Sequence, residues 1–129
     1  MNSVQAPHLH PLINPTDLAT IRSSVTLLDV RSPGEFESSH IPGSYNVPLD
    51  LLPEDGPDLE SEIAGPVVLV CRSGMRARQA EQALAATGFP RLHVLEGGLS
   101  AWESASLPVN RGQARWDMER QGLLLQRDL

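Results

Sequence analysis

Lysine is absent from this chain of 129 residues, and all ten of its basic side chains are arginine. Against sixteen Asp and Glu they leave a formal charge of -6, which argues against nucleic acid as the main partner, because phosphate backbones are bound by basic surfaces. Cysteine occurs once, at Cys71, so no intrachain disulfide forms and no second thiol can resolve an oxidised one. A secreted disulfide scaffold is thereby excluded. Aromatic residues make up only 4% of the chain, and the core must be built from Leu, Val, Ile and Ala. No stretch approaches the ~20 apolar residues of a membrane span. Residues 1–11 lack the cationic cluster and apolar run of a signal peptide, so a cytoplasmic protein without membrane association is expected.

The remaining composition, 40% hydrophobic and 20% charged, is that of one globular domain, too short for a two-domain enzyme. Pro and Gly punctuate short apolar runs, and no repeat or linker is visible. Asn14 before Pro15 is an N-cap followed by a first-turn proline and predicts a helix over 15–23. The run 25–30 reads as a strand buried on both faces, 33–38 as a short helix, and 44–49 as a short or edge strand fenced by Pro42 and Pro48. Residues 50–62 carry six acids and no base, the mark of a solvated, partly helical face. The run 66–70 is the clearest strand, followed by a helix over 76–87 that Gly88 ends. A strand over 92–95, a turn at Gly97-Gly98 and a helix over 99–105 carrying Trp102 complete a βα alternation, which predicts a mostly parallel sheet covered on both faces.

The segment with chemical content is Cys71-Arg72-Ser73-Gly74-Met75-Arg76, between a buried strand and a helix. Ligand sites in open α/β sheets form at the carboxyl ends of strands, and a loop closing onto a helix N-terminus can turn backbone N–H groups inward as an anion-binding nest. Cys71 would form its floor. Thiolate is the reactive form of cysteine, and helix N-termini and nearby cations favour it. Arg72, Arg76 and Arg78 supply three of the ten cations within the eight residues from Cys71. Gly74 suits a tight turn and leaves the pocket open. Most free cysteines are buried small hydrophobes, but this placement points to a nucleophile.

These residues resemble the rhodanese (thiosulfate sulfurtransferase) domain family in its single-domain form, over about residues 9–109. The run from Leu28 to Phe36, with Ser39-His40-Ile41-Pro42-Gly43 and the residues to Pro48, is similar to the family's N-terminal signature. Cys71 to Arg76 is similar to its active-site loop, and Leu95-Glu96-Gly97-Gly98-Leu99-Ser100-Ala101-Trp102 to its C-terminal signature. The resemblance implies a five-stranded parallel sheet flanked by helices and transfer of a sulfane sulfur through a Cys71 persulfide. Cys71 would be catalytic, with Arg72, Ser73, Gly74, Met75 and Arg76 binding substrate. The partners would be a small sulfane donor and a thiophilic acceptor such as cyanide, a thiol or an acceptor protein, with no metal or organic cofactor. Ala77 stands where many members place serine, which touches only a secondary hydrogen bond.

Two alternatives stay open. Related phosphatases, and an arsenate reductase activity on the same fold, use a loop with five residues between Cys and Arg; here four separate Cys71 from Arg76, and the smaller ring suits one sulfur atom. A non-catalytic binding module is the other, although such modules typically lack the cysteine. Asp29, Arg31 and Glu35 are expected to form an ion pair shaping the site rim. His40 reads as a packed turn histidine, His8 and His10 as a weak metal pair at best, and Trp102 as core; nothing places His93 beside Cys71. The domain is expected over 1–109. The 110–129 tail reads as a short helix, and its Trp116-Asp117-Met118-Glu119-Arg120-Gln121 resembles the segment that joins membrane-anchored members to their hydrophobic spans; the tail is expected to be a docking helix, an oligomer contact or the remnant of an anchor.

Overall fold

The computed structural model describes residues 12–52, 65–86, 91–112, 115–118 and 124–127, the last two stretches by backbone alone. Seven strands form one sheet: β1 (Leu12–Ile13), β2 (Thr26–Asp29), β3 (Tyr45–Asn46), β4 (Val67–Val70), β5 (Leu92–Leu95), β6 (Arg115–Met118) and β7 (Leu124–Arg127). Their order is β1-β5-β4-β2-β3-β7-β6. The first five are mutually parallel, as the βα alternation predicts, and β7 and β6 join them antiparallel.

The described residues include four α-helices: α1 (Pro15–Ile21), α2 (Pro33–Ser38), α3 (Met75–Ala85) and α4 (Gly98–Ser104). The Asn14 side chain accepts from the Asp17 amide at 2.8 Å, with Pro15 at the first helical position, so α1 starts where expected. It ends at Ile21, and a 3-10 turn over Arg22–Ser24 takes up the rest of the predicted span. Helix α2 starts from a capping box in which Ser32 and Glu35 satisfy each other's backbone N–H groups.

Alternate residues of the central strands face opposite cores. Leu28, Val67, Leu69, Leu92 and Val94 pack with Ala77, Ala80 and Leu84 of α3, and Leu27, Val68, Val70 and Leu95 pack with Leu18 of α1 and with Leu99 and Trp102 of α4. Strand β4 is wholly buried, which explains why it reads as a continuous apolar run.

One expectation is corrected. The tail predicted as a helix contributes the β6–β7 hairpin, with Tyr45 and Asn46 of β3 paired to Arg127 and Gln126. Strand β3 is short, one of the two readings of 44–49, and lies between β2 and β7. Just beyond residue 109, Asn110 and His40 exchange backbone bonds of 2.8 and 2.9 Å and the Gly112 amide donates to the Glu37 carbonyl. Most of the acidic stretch, the Gly88 stop and His8 and His10 lie outside the described residues.

Candidate active site

Strand β4 ends at Val70, and the chain turns through Cys71, Arg72, Ser73 and Gly74 into α3. Gly74 precedes the helix at φ 112°, a left-handed conformation that favours glycine. That turn folds the backbone over Cys71. The Gly74 amide donates to Cys71 Sγ at 2.9 Å and the Ala77 amide at 3.4 Å, so two N–H groups at the start of α3 converge on one sulfur. Backbone N–H groups only donate, so the sulfur is the acceptor in both contacts. The cysteine is 1% exposed, at the floor of the loop as expected.

The outward side of the loop is held by α4. Leu99 and Ser100 donate their amides to the carbonyls of Cys71 and Arg72 at 2.8 and 3.1 Å, so loop carbonyls satisfy donors that a helix start leaves without intrahelical partners. Gly97 and Gly98 adopt φ of 74° and 62° at that junction. A Cβ on Gly98 would collide with the Cys71 carbonyl oxygen and approach the Arg72 carbonyl to 2.6 Å. The turn predicted at Gly97-Gly98 is thus part of the site, through a close backbone approach.

The expected rim trio separates. Asp29 and Arg31 do pair, Nη2 to Oδ2 at 2.7 Å and Nε to Oδ1 at 2.9 Å, but their side chains are 1% and 0% exposed, too buried to form a rim. Arg31 Nη2 also donates to the Ser39 carbonyl at 2.7 Å, and Asn46 Nδ2 bonds the carbonyls of Asp29 and Arg31. Glu35 instead meets Arg76: Nη1 and Nη2 donate to Oε1 and Oε2 at 2.7 and 2.9 Å. The two-pronged hydrogen bonding from Arg76, aided by Ser32 and opposed by partial burial, lowers the Glu35 carboxyl to about 2. Bonding to Glu35 likewise raises Arg76 above its ordinary value. Expected as a charge for the substrate, the Arg76 guanidinium faces a carboxylate, because the β2–α2 turn brings Glu35 beside α3.

Of the other loop residues, Ser73 and Met75 are exposed, Met75 by 72%, and Arg72 turns away to Glu103 at 3.3 Å. Glu103 also accepts from Ser39 Oγ at 3.2 Å and so ties the loop to the end of α2. His40 is buried, stacked on Phe36 with ring centroids 3.9 Å apart and Nδ1 2.7 Å from the Phe36 carbonyl oxygen. Trp102 is core, its Nε1 donating to the Pro108 carbonyl at 2.8 Å. His93 lies in β5, in register with Val68. Reading the sequence misses Asn46, Glu103 and the role of Gly98; only the glycine pair carries a local signal.

Residues 14–105 match the model of the rhodanese-like domain family. The chain belongs to this family. A thiosulfate sulfurtransferase from Shewanella oneidensis is 31% identical to it over 97 residues, covering 75% of this chain and 94% of that protein. An uncharacterized protein from Synechocystis sp. is 40% identical over 100 residues, covering 75% of this chain and 54% of that protein. The crystal structure of a rhodanese-related protein from Thermoplasma volcanium superimposes with a TM-score of 0.70 at 32% identity, covering 78% of this chain and 98% of that one. The matched parts span 54% to 65% of the length of the first curated relatives. All three segments that resemble rhodanese signatures fall inside the matched region, and the rhodanese-like domain brings the second and third together where the Cys71 loop meets α4. No helix among the described residues is long and apolar enough to cross a membrane.

Proposed function

We propose that this rhodanese-like domain is a sulfurtransferase in which Cys71 carries a sulfane sulfur between donor and acceptor. The observation that carries this reading is the convergence of the Gly74 and Ala77 amides on Cys71 Sγ, a setting for an anionic sulfur nucleophile. The Cys71 thiolate attacks the outer sulfur of thiosulfate, the bond between the two thiosulfate sulfurs breaks, and sulfite departs with its electron pair. Cys71 is left as a persulfide, with loop amides of the 72–76 segment as its hydrogen-bond donors. A thiophilic acceptor then attacks the outer sulfur, and the electron pair of the broken S–S bond returns to Cys71 as thiolate. Two half-reactions sharing one carrier give ping-pong kinetics.

The four-residue spacing between Cys71 and Arg76 supports a ring sized for sulfur over a phosphoryl group. Relatives named thiosulfate sulfurtransferase support the same choice. In this reading Asp29, Arg31 and Glu35 shape the site, Glu35 by holding Arg76 and the buried pair by fixing the β2 end. The test is intact mass after incubation with thiosulfate and removal of the donor. Wild-type protein should gain one sulfur and Cys71→Ser none, the chain having no other cysteine. A wild type that stays unmodified with every sulfane donor overturns the proposal.

A further inference from the structure

The Cys71 sulfur and the guanidinium of its chain neighbour Arg72 are held by different helices. Sγ accepts from the Gly74 and Ala77 amides at the start of α3, whereas Arg72 Nη1 donates to Glu103 Oε1 at 3.3 Å in the last turn of α4. Glu103 lies four residues beyond Leu99, whose amide meets the Cys71 carbonyl, and so stands about 6 Å farther along the helix axis. The Arg72 carbonyl stays with the Ser100 amide while the side chain follows α4 toward its end.

The two oxygens of Glu103 do separate work. Oε1 faces Arg72, and Oε2 accepts from Ser39 Oγ at 3.2 Å. Ser39 is 5% exposed, and its carbonyl accepts from Arg31 Nη2 at 2.7 Å, so one residue moors this carboxylate to the buried Asp29–Arg31 pair. A surface ion pair ordinarily loses most of its value to the entropy of fixing two long side chains, and here one of the two is already fixed. Arg76, the other arginine of the 72–76 segment, is met by Glu35. Both arginines of the loop thus face carboxylates from other elements, and a dianionic donor at Cys71 must draw Arg72 from Glu103 before it can use that charge. We infer that Glu103 is a positioning residue of the proposed sulfurtransferase: it withholds the Arg72 guanidinium from anionic donors and thereby sets the preference between doubly and singly charged sulfane donors. The inference rests on the persulfide reading. Released from Glu103, Arg72 offers the donor a charge-assisted hydrogen bond, so loss of this carboxylate improves binding of a dianion. A residue that only braced the loop has the opposite effect.

The experiment measures sulfur transfer to cyanide at fixed ionic strength from thiosulfate, a dianion, and from benzenethiosulfonate, a monoanion. Glu103→Gln keeps an acceptor for Ser39 Oγ but gives up the charge that holds Arg72. It should lower KM for thiosulfate about threefold, a change within the range of one half-exposed ion pair, and lower KM for benzenethiosulfonate less. In an Arg72→Gln background the same substitution should leave KM for thiosulfate unchanged, because no guanidinium remains to be released. Ser39→Ala, which unmoors the carboxylate, should shift KM in the same direction by a smaller factor. A KM for thiosulfate that stays constant or rises in Glu103→Gln overturns the inference. An equal fall with and without Arg72 also overturns it, since the lost negative charge then acts on the donor directly. Wild-type protein that gains no sulfur by intact mass from any sulfane donor overturns the underlying persulfide reading, whereas protein that loads normally and gives either of the two preceding results overturns the role of Glu103 alone.

Discussion

The backbone amide of Leu99 donates to the carbonyl oxygen of Cys71 across 2.8 Å, so the cysteine that faces the α3 amides with its side chain caps α4 with its backbone. The two halves of one residue are held by two helices. Gly98 makes this possible, and Gly98→Ala forces the α4 start away from the loop. We expect a loss of about 1–3 kcal/mol in stability, the range for backbone held in a disfavoured conformation, and a fall in sulfur loading of at least tenfold. Gly43→Ala is the control. Gly43 also has positive φ, at 86°, but nothing lies within 4 Å of its added Cβ, so thermal stability should drop modestly while loading rates persist. Equal loading rates in the two variants would show that the contact with Cys71 does not position the loop.

Glu35 predicts an acid-side stability change. Its carboxyl is lowered in the folded protein to about 2 from an ordinary 4.5, so the unfolded chain takes up the proton first as pH falls. The stabilisation is therefore complete above about pH 4.5 and is lost as pH falls toward 2. Both partners are over a third exposed, at 37% and 36%, and solvent screening limits the contribution to about 0.5–1 kcal/mol. Denaturant titrations of wild type and Glu35→Gln should differ by this amount at pH 6 and converge near pH 2. A constant difference across that range would show that the capping role of Glu35 outweighs its pairing with Arg76.

The buried Asp29–Arg31 pair predicts a non-additive response. Arg31→Met leaves a fully buried carboxylate without its guanidinium and should cost about 3–5 kcal/mol. Adding Asp29→Leu removes the stranded charge and should restore most of that loss. Urea unfolding of the two single variants and the double variant measures the coupling. Simple additivity would mean that the pair acts through packing alone.

Removing residues 115–129 strips the hairpin from β3 while keeping Asn110 bonded to His40 and Gly112 to Glu37. Exposed strand edges promote self-association, so the shortened protein should melt about 5 °C lower and show concentration-dependent oligomers in sedimentation. Sulfur loading should continue, because the hairpin joins the sheet through β3. Loss of loading in a folded truncation would place part of the site in the tail.

What could be read from the sequence followed local rules. The β4 run, the Asn14 and Pro15 start of α1 and the strand–loop–helix setting of Cys71 are each encoded within a few neighbours, and the structure has them in place. The misses involve distant partners. Arg76 meets a carboxylate 41 residues away, and Arg72 meets Glu103 at a separation of 31, contacts that no short window contains. The tail shows a different failure. Its short apolar runs fit helix and strand alike, and an open β3 edge that only the fold creates decides for strand.

Strand β4 is buried on both faces and lies between β5 and β2, whereas β6 and β7 attach at the sheet's far side through β3. In hydrogen exchange, amides of Val67–Val70 should therefore be released only by global unfolding and those of the hairpin by local opening. The sulfur-bearing loop grows directly out of the slowest-exchanging strand. Its geometry consequently lasts as long as the folded domain itself, and fraying at the C-terminal hairpin passes without disturbing the nucleophile.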